Sequence, residues 1–222
     1  MAAIKPNKES RIDSIRYYII FPMVSAGVST ISLLGFLAFA AVVVLSLLYL
    51  VKKLFRIKAF DSIATFLRPH AYSGAFFLAF IASVASLFLS EVLHFQPCVL
   101  CWYQRIVMYP QVVLLYVAQL RRERVLTPYL ITLNVIGGLI SLYHYSLHVL
   151  PRTIVPILPC SVQYGGVPCD RGYEFYFGFM TFPLMAWSVF ALITFLLTIS
   201  KVKVNPDKKS GFRSREHRKK SR

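Results

Sequence analysis

Four cysteines are the residues whose type and spacing could do chemistry in this chain. Cys98 and Cys101 stand as C-x2-C within HFQPCVLCWYQR (His94–Arg105), and Cys160 and Cys169 stand as C-x8-C. A disulfide across C-x2-C closes so short a loop that it removes little unfolded-state entropy, which makes it a poor staple. The same spacing is that of redox dithiols, in which a neighbouring group can lower one thiol pKa. Structural zinc sites repeat short knuckles, and the second spacing is too long for one, so no metal is expected. Two inert disulfides are the bland alternative. Arg105 follows Cys101 by four residues, on the same face of a helix. It reads either as a partner for a thiolate or an anionic reduced cofactor, or as an interfacial arginine whose head reaches the lipid headgroups.

The elements that must position these residues are apolar. The chain has 222 residues, 57% of them hydrophobic and only 15% charged, where a soluble domain carries about 25% charged residues. Five apolar runs stand out: about 19–51, 71–90, 106–120, 129–150 and 175–200. A membrane-spanning helix needs roughly 20 such residues. The third run is short, but CWYQR can begin its helix. The first is too long for one straight span, and predicts either a long tilted helix or one broken near Pro22 or Gly27. The first run is also too long for the apolar core of a cleavable signal.

The cations choose the sides. The link from Lys52 to His70, the link Arg121–Arg124 and the tail after Ser200 hold 18 of the 25 Lys and Arg residues, whereas Glu91–Gln104 holds none and Pro151–Tyr173 two. Rich and poor gaps alternate, as four consecutive spans require, and the poor gaps face outward. All four cysteines fall in them, on the oxidising side, and an even count there reads as disulfide chemistry. The N-terminus carries cations of its own, and its side depends on whether the first run crosses or turns back; a fifth crossing is favoured. The basic tail, residues 201–222, reads as a solvated, disordered cytoplasmic segment near anionic lipid rather than a nucleic-acid arm. The gap holding Cys160 and Cys169 has four prolines and three glycines, which excludes a regular helix; YGG lets it turn back.

Other polar residues are weighed the same way. His144 either donates to a cofactor oxygen or is hydrogen-bonded within the bundle. His148, His94 and Glu91 read as interfacial. Trp102 either walls a site or anchors the helix, and Gly137 and Gly138 suggest close helix packing.

With these residues in view, the sequence resembles the disulfide bond formation protein B (DsbB) family, and most closely its BdbC-like branch of thiol–disulfide oxidoreductases. SEVLHFQPCVLCWYQRIVMYP (Ser90–Pro110), ISLYHY (Ile140–Tyr145), the Pro159–Cys169 segment and FGFMTFPLMA (Phe177–Ala186) carry the resemblance. It implies an all-α fold, an integral membrane four-helix bundle over 71–200. The additional N-terminal transmembrane segment lies in an extension, 1–70, that departs from the family pattern, as does the basic tail. The resemblance further implies a multi-pass protein of the bacterial cytoplasmic membrane that reoxidises an extracytoplasmic thioredoxin-like thiol oxidase (DsbA/BdbD-like). Electrons then pass to a membrane quinone, ubiquinone or menaquinone, and the cycle supports disulfide formation in exported proteins. By the same resemblance Cys98 and Cys101 form the pair beside the quinone, with Cys101 engaging the ring. Arg105 contacts the quinone, His144 is a second quinone-binding candidate, and Cys160 of the Cys160–Cys169 pair makes the mixed disulfide with the partner. The rival expectations are a vitamin K epoxide reductase-like quinone oxidoreductase and a non-enzymatic scaffold or transporter with two structural disulfides.

Overall fold

The first apolar run forms part of one unbroken helix. In the computed structural model, which describes residues 8–55, 59–121, 124–150, 169 and 178–201, α1 covers Lys8–Phe55 and passes Pro22 and Gly27 without interruption. Its 48 residues extend about 72 Å at 1.5 Å per residue, more than twice the roughly 30 Å of a bilayer core. Of the two sequence expectations, the long helix holds and the hinge does not. Then come α2 (Ala59–Leu67), a single 3-10 turn (Arg68–His70), α3 (Ala71–Leu87), a π turn (Phe88–Val92), α4 (Val99–Leu120), α5 (Thr127–Val149) and α6 (Phe182–Lys201). The tail 202–222 and most of the segment holding Cys160 lie outside the described residues.

Four segments, Ser25–Leu54, Asp61–Val92, Thr127–Val149 and Phe182–Ser200, are long and apolar enough to cross a membrane. Helix α4 is less uniformly apolar because it buries Gln104, Arg105 and Gln111, yet its 22 residues extend about 33 Å and pack against α3 and α5. The molecule is therefore a helical membrane bundle, α3 to α6, with α1 added against α6. Many large apolar side chains face outward, Leu37, Phe77, Val113 and Leu139 among them, as expected where the solvent is lipid.

One element start follows the sequence reading and one departs from it. Helix α4 begins at Val99, two residues before the CWYQR segment expected to begin it, because Cys98 has extended backbone and caps it, its Sγ accepting from the Cys101 N–H at 3.4 Å. Cys101 is thus inside the first turn. Helix α6 begins at Phe182, seven residues after the run that predicted it. Gly178, at φ +81°, turns the chain just before it, a conformation that glycine adopts without steric cost.

Helix α6 packs against α1, α3 and α5, and its Phe190, Ile193 and Leu197 are fully buried with Leu115 of α4 and Leu130 of α5. Gly137 lets α5 approach: a Cβ there would run into the Phe190 ring. Across α4 and α5, Asn134 Nδ2 donates to Gln111 Oε1 at 2.6 Å, a buried polar tie of the kind that fixes helix register in lipid. At the end of α6, Arg124 Nη1 donates to the Ser200 carbonyl at 2.6 Å and Arg68 Nε to the Ile199 carbonyl at 3.3 Å. These cations from the two basic links satisfy carbonyls that a helix C-terminus leaves unpaired. They mark one end of the bundle; the described cysteines are at the other, the full length of α4 away.

Candidate functional site

The chain turns sharply before the first cysteine pair. The π turn ends α3, and His94, at φ +55°, takes the left-handed conformation that lets the Phe95 N–H reach back to the Leu89 carbonyl at 2.9 Å. Glycine or asparagine usually occupies such a position. His94 is exposed, and its part is in the turn. Glu91 is likewise exposed and receives a hydrogen bond from Ser90.

Cys98 is buried at the start of α4, with Cys101 one turn on, the two free thiols having Sγ atoms 3.3 Å apart. In this geometry the Cys98 thiol donates to Cys101. That hydrogen bond, with burial, pushes the Cys98 thiol up to about 12, against a lowering pull from His144. Cys98 therefore keeps its proton, and Cys101 is the sulfur that receives a hydrogen bond. His144 of α5 brings Nε2 to 3.5 Å from Cys98 Sγ, while its Nδ1 meets Gln104 Nε2 at 3.3 Å. With the amide donating, Nε2 carries the imidazole proton. His148, one turn on, packs edge-on to His144 and bonds the Cys169 carbonyl at 2.9 Å. Cys169 is buried in one cluster with Cys98, Leu100 and Leu147, against which Cys101 packs. The structure thus brings three of the four cysteines together; Cys160 lies outside the described residues. Cys98, Cys101 and His144 also present two sulfurs and an imidazole nitrogen within 4.8 Å of one another, a set able to bind a thiophilic cation.

On its other side Cys101 opens on an intramembrane cavity of about 280 Å³, lined also by Arg105, Gln104, Ser86, Met108 and Phe182. Arg105 is only 8% exposed. Its Nε donates to Ser86 Oγ and its Nη2 to the Ser86 carbonyl, both at 2.9 Å, and its guanidinium lies 5.3 Å from the Trp102 ring centre. Two of the five N–H donors are spent on Ser86, so a buried cation with unused donors faces an apolar cavity beside a thiol. A snorkelling arginine would instead carry its head to the interface. Tyr109 adds its hydroxyl to Ser86 Oγ at 3.4 Å. His144 is not among the cavity-lining residues; it reaches Cys98 from the far side.

Ser86 and Gln104 carry this arrangement, and sequence reasoning assigned neither a role. Gln104 sits inside the quoted motif, but a glutamine one residue before an arginine gives no hint that it faces a histidine. Ser86 had a faint signal: Ser83, Ser86 and Ser90 put small polar residues at helical spacing into an otherwise apolar α3.

The family model described as disulfide bond formation protein DsbB matches residues 68–202, more than half of the chain. The chain belongs to this family. Among similar proteins, the "Probable disulfide formation protein C" of Halalkalibacterium halodurans is 40% identical over 120 residues, covering 54% of this chain and 85% of that protein. The "Disulfide bond formation protein C" of Bacillus subtilis is 40% identical over 124 residues, 56% of this chain and 87% of that one. The same organism's "SPbeta prophage-derived disulfide bond formation protein B" is 42% identical over 118 residues, 53% and 76%. No solved structure matches the chain at a significant level. As a DsbB-family protein the chain is a multi-pass membrane disulfide oxidoreductase. Helices α3 to α6 are its family portion, and α1 and α2 precede it.

Proposed function

We propose that this DsbB-family protein reoxidises a thioredoxin-like dithiol oxidase outside the bacterial cytoplasmic membrane and passes the electrons to a membrane quinone, ubiquinone or menaquinone. One observation carries the reading: Cys101 and the buried Arg105 share the wall of an apolar cavity, while Cys169 packs against the same cysteine pair from the other side. A site of this kind has a sulfur entrance and a lipid-soluble exit.

The sulfur steps balance as thiol–disulfide exchange. A partner thiolate attacks the Cys160–Cys169 disulfide at Cys160; the new S–S bond forms and Cys169 leaves as a thiolate. The partner's second thiolate displaces Cys160, so the partner leaves as a disulfide and the loop pair holds two electrons as a dithiol. The loop dithiol then reduces the Cys98–Cys101 disulfide, and Cys169 is the loop sulfur already in that cluster. His144, with Nε2 beside Cys98, holds a proton where Cys98 alternates between thiol and disulfide.

The cavity fits a quinone: apolar walls for a substituted ring, a thiol at the rim, and a guanidinium with unused donors for an oxygen that gains negative charge. Cys101, Arg105 and Gln104 would hold it. When bound, the quinone supplies the two-electron acceptor that returns Cys98 and Cys101 to the disulfide. Ser86 keeps the Arg105 charge aimed into the cavity. Both cysteine pairs on the outer face and a cytoplasmic C-terminus follow from the distribution of cations.

The test is anaerobic mixing of purified protein with a quinone and a reduced thioredoxin-like dithiol protein, followed by quinone absorbance. Stoichiometric quinone reduction that Cys98→Ser abolishes is expected. Absence of quinone reduction across several quinones and partners would sink the reading. Unimpaired thiol oxidation by a less stable Cys98→Ser protein would favour a scaffold with structural disulfides.

A further inference from the structure

Helix α1 precedes the family match, yet it lines the cavity. Ile31, Leu34, Gly35 and Ala38 of α1 stand opposite Cys101 and Arg105. Their spacing, i, i+3, i+4 and i+7, is one face of a helix. Two glycines seat that face. A Cβ on Gly35 would run into the Met185 side chain of α6, and one on Gly27 would come within 2.9 Å of the Phe88 ring at the end of α3. Such backbone approach is how helices associate tightly in lipid.

A second cavity, of about 380 Å³, lies between α1 and α3, lined by Gly27, Thr30 and Ile31 on one side and by Ile81, Val84 and Phe88, among others, on the other. It adjoins the first, with Ile31, Ile81 and Ala85 lining both. It opens sideways rather than to an end, because Ile81 and Val84 also belong to the outward, lipid-facing surface of α3. The Thr30 hydroxyl is spent on the Ala26 carbonyl at 2.8 Å, so the groove offers an apolar chain no unmet polar group at that position.

We propose that α1 is a fifth wall of the quinone site, and that the groove between α1 and α3 carries the quinone's polyisoprenoid tail from the cavity beside Cys101 out into the lipid. The proposal rests on the quinone reading above. A membrane quinone joins a compact polar ring to a long apolar tail. A ring cavity closed by an added helix needs a lateral exit in the hydrocarbon region, and the adjoining groove lies where one is needed. The extension is then part of the binding site for the electron acceptor, and it discriminates by tail.

The full-length protein in lipid nanodiscs is irradiated with a quinone analogue carrying a diazirine in its tail, and the labelled peptides are mapped by mass spectrometry. Label is expected on the α1 segment 27–38 and on α3 segment 80–88, and is expected to be competed by unmodified long-tailed quinone. Competable label confined to other helices would overturn the inference while leaving the quinone reading intact. No competable label anywhere would overturn both. A second measurement uses Thr30→Trp, an exposed position that lines only the groove. The advantage of a long-tailed over a tailless quinone, read as the ratio of their KM values, is expected to fall about tenfold. An unchanged ratio would also overturn the tail assignment, whatever happens to either rate alone.

Discussion

Ser86→Ala tests whether the site works through a buried, aimed arginine. The Ser86 hydroxyl accepts from Arg105 Nε, and the Ser86 carbonyl accepts from Nη2, each at 2.9 Å. The substitution removes the first bond and leaves the second. A hydrogen bond to a charged group contributes about 1.5–3 kcal/mol. Arg105 is largely withheld from solvent, so water replaces little of that loss, but the remaining carbonyl still holds one edge of the guanidinium. A net loss near the lower end, about 1.5 kcal/mol, corresponds to roughly tenfold in affinity. On the proposed reading the KM for quinone rises about tenfold in anaerobic absorbance assays. The KM for the reduced dithiol partner stays constant, because the Ser86 hydroxyl acts on Arg105 and Tyr109 and on none of the described cysteines. Ser86→Thr, which keeps the hydroxyl, should restore most of the affinity. A quinone KM unchanged in Ser86→Ala but raised in Arg105→Gln would refute the claim that Ser86 aims Arg105. A parallel rise in the dithiol KM would point to general loosening of the α3–α4 contact instead.

Three further outcomes are expected. His144→Phe removes the group whose lowering pull partly offsets the rise of the Cys98 thiol, so that thiol moves higher and alkylation of Cys98 at a fixed alkaline pH slows; equal rates in both proteins would remove His144 from the proton balance. Gly137→Ala drives a methyl into the Phe190 ring and should cost about 1–3 kcal/mol as an overpacked core, read as a lower thermal midpoint in detergent; an unchanged midpoint would mean that α5 and α6 can separate freely. His94→Gly relieves a left-handed, non-glycine turn residue; the relief of about 1–2 kcal/mol is offset in part by the greater freedom of glycine in the unfolded chain, so a small rise in midpoint is expected, and a fall would show that the His94 side chain holds the turn.

How far the sequence carries depends on which interactions are local. The spans are local: a run of apolar residues fixes a helix whatever its neighbours, so α3 and α5 fall close to where composition puts them. Element starts are less so, because α4 begins on the Cys98 cap and α6 waits for the Gly178 turn, and neither is written in hydropathy. The pairing of Cys101 with Arg105 was legible because i, i+4 is a property of one helix. The pairing of Arg105 with Ser86, nineteen residues away on α3, and of His144 with Cys98, forty-six residues away, needed the bundle, since no spacing rule links residues on different helices.

The same distinction explains why the extension resisted interpretation. Read alone, α1 is an apolar helix without a charge between Arg16 and Lys52, and nothing in it asks for more than a membrane anchor. Its informative residues are the least conspicuous ones, Gly27 and Gly35, whose lack of a side chain becomes a signal only when Phe88 and Met185 occupy the space a side chain would need. An anchor has no use for such contacts, because lipid packs against any helix surface. Two close approaches on one side of α1, with a cavity-lining face between and beyond them, mean that the helix is seated in a defined rotation against α3 and α6. A defined rotation is what a binding wall requires and an anchor does not. The experiments on the tail groove therefore also ask whether an added helix can change what an existing redox site accepts without touching its sulfur chemistry.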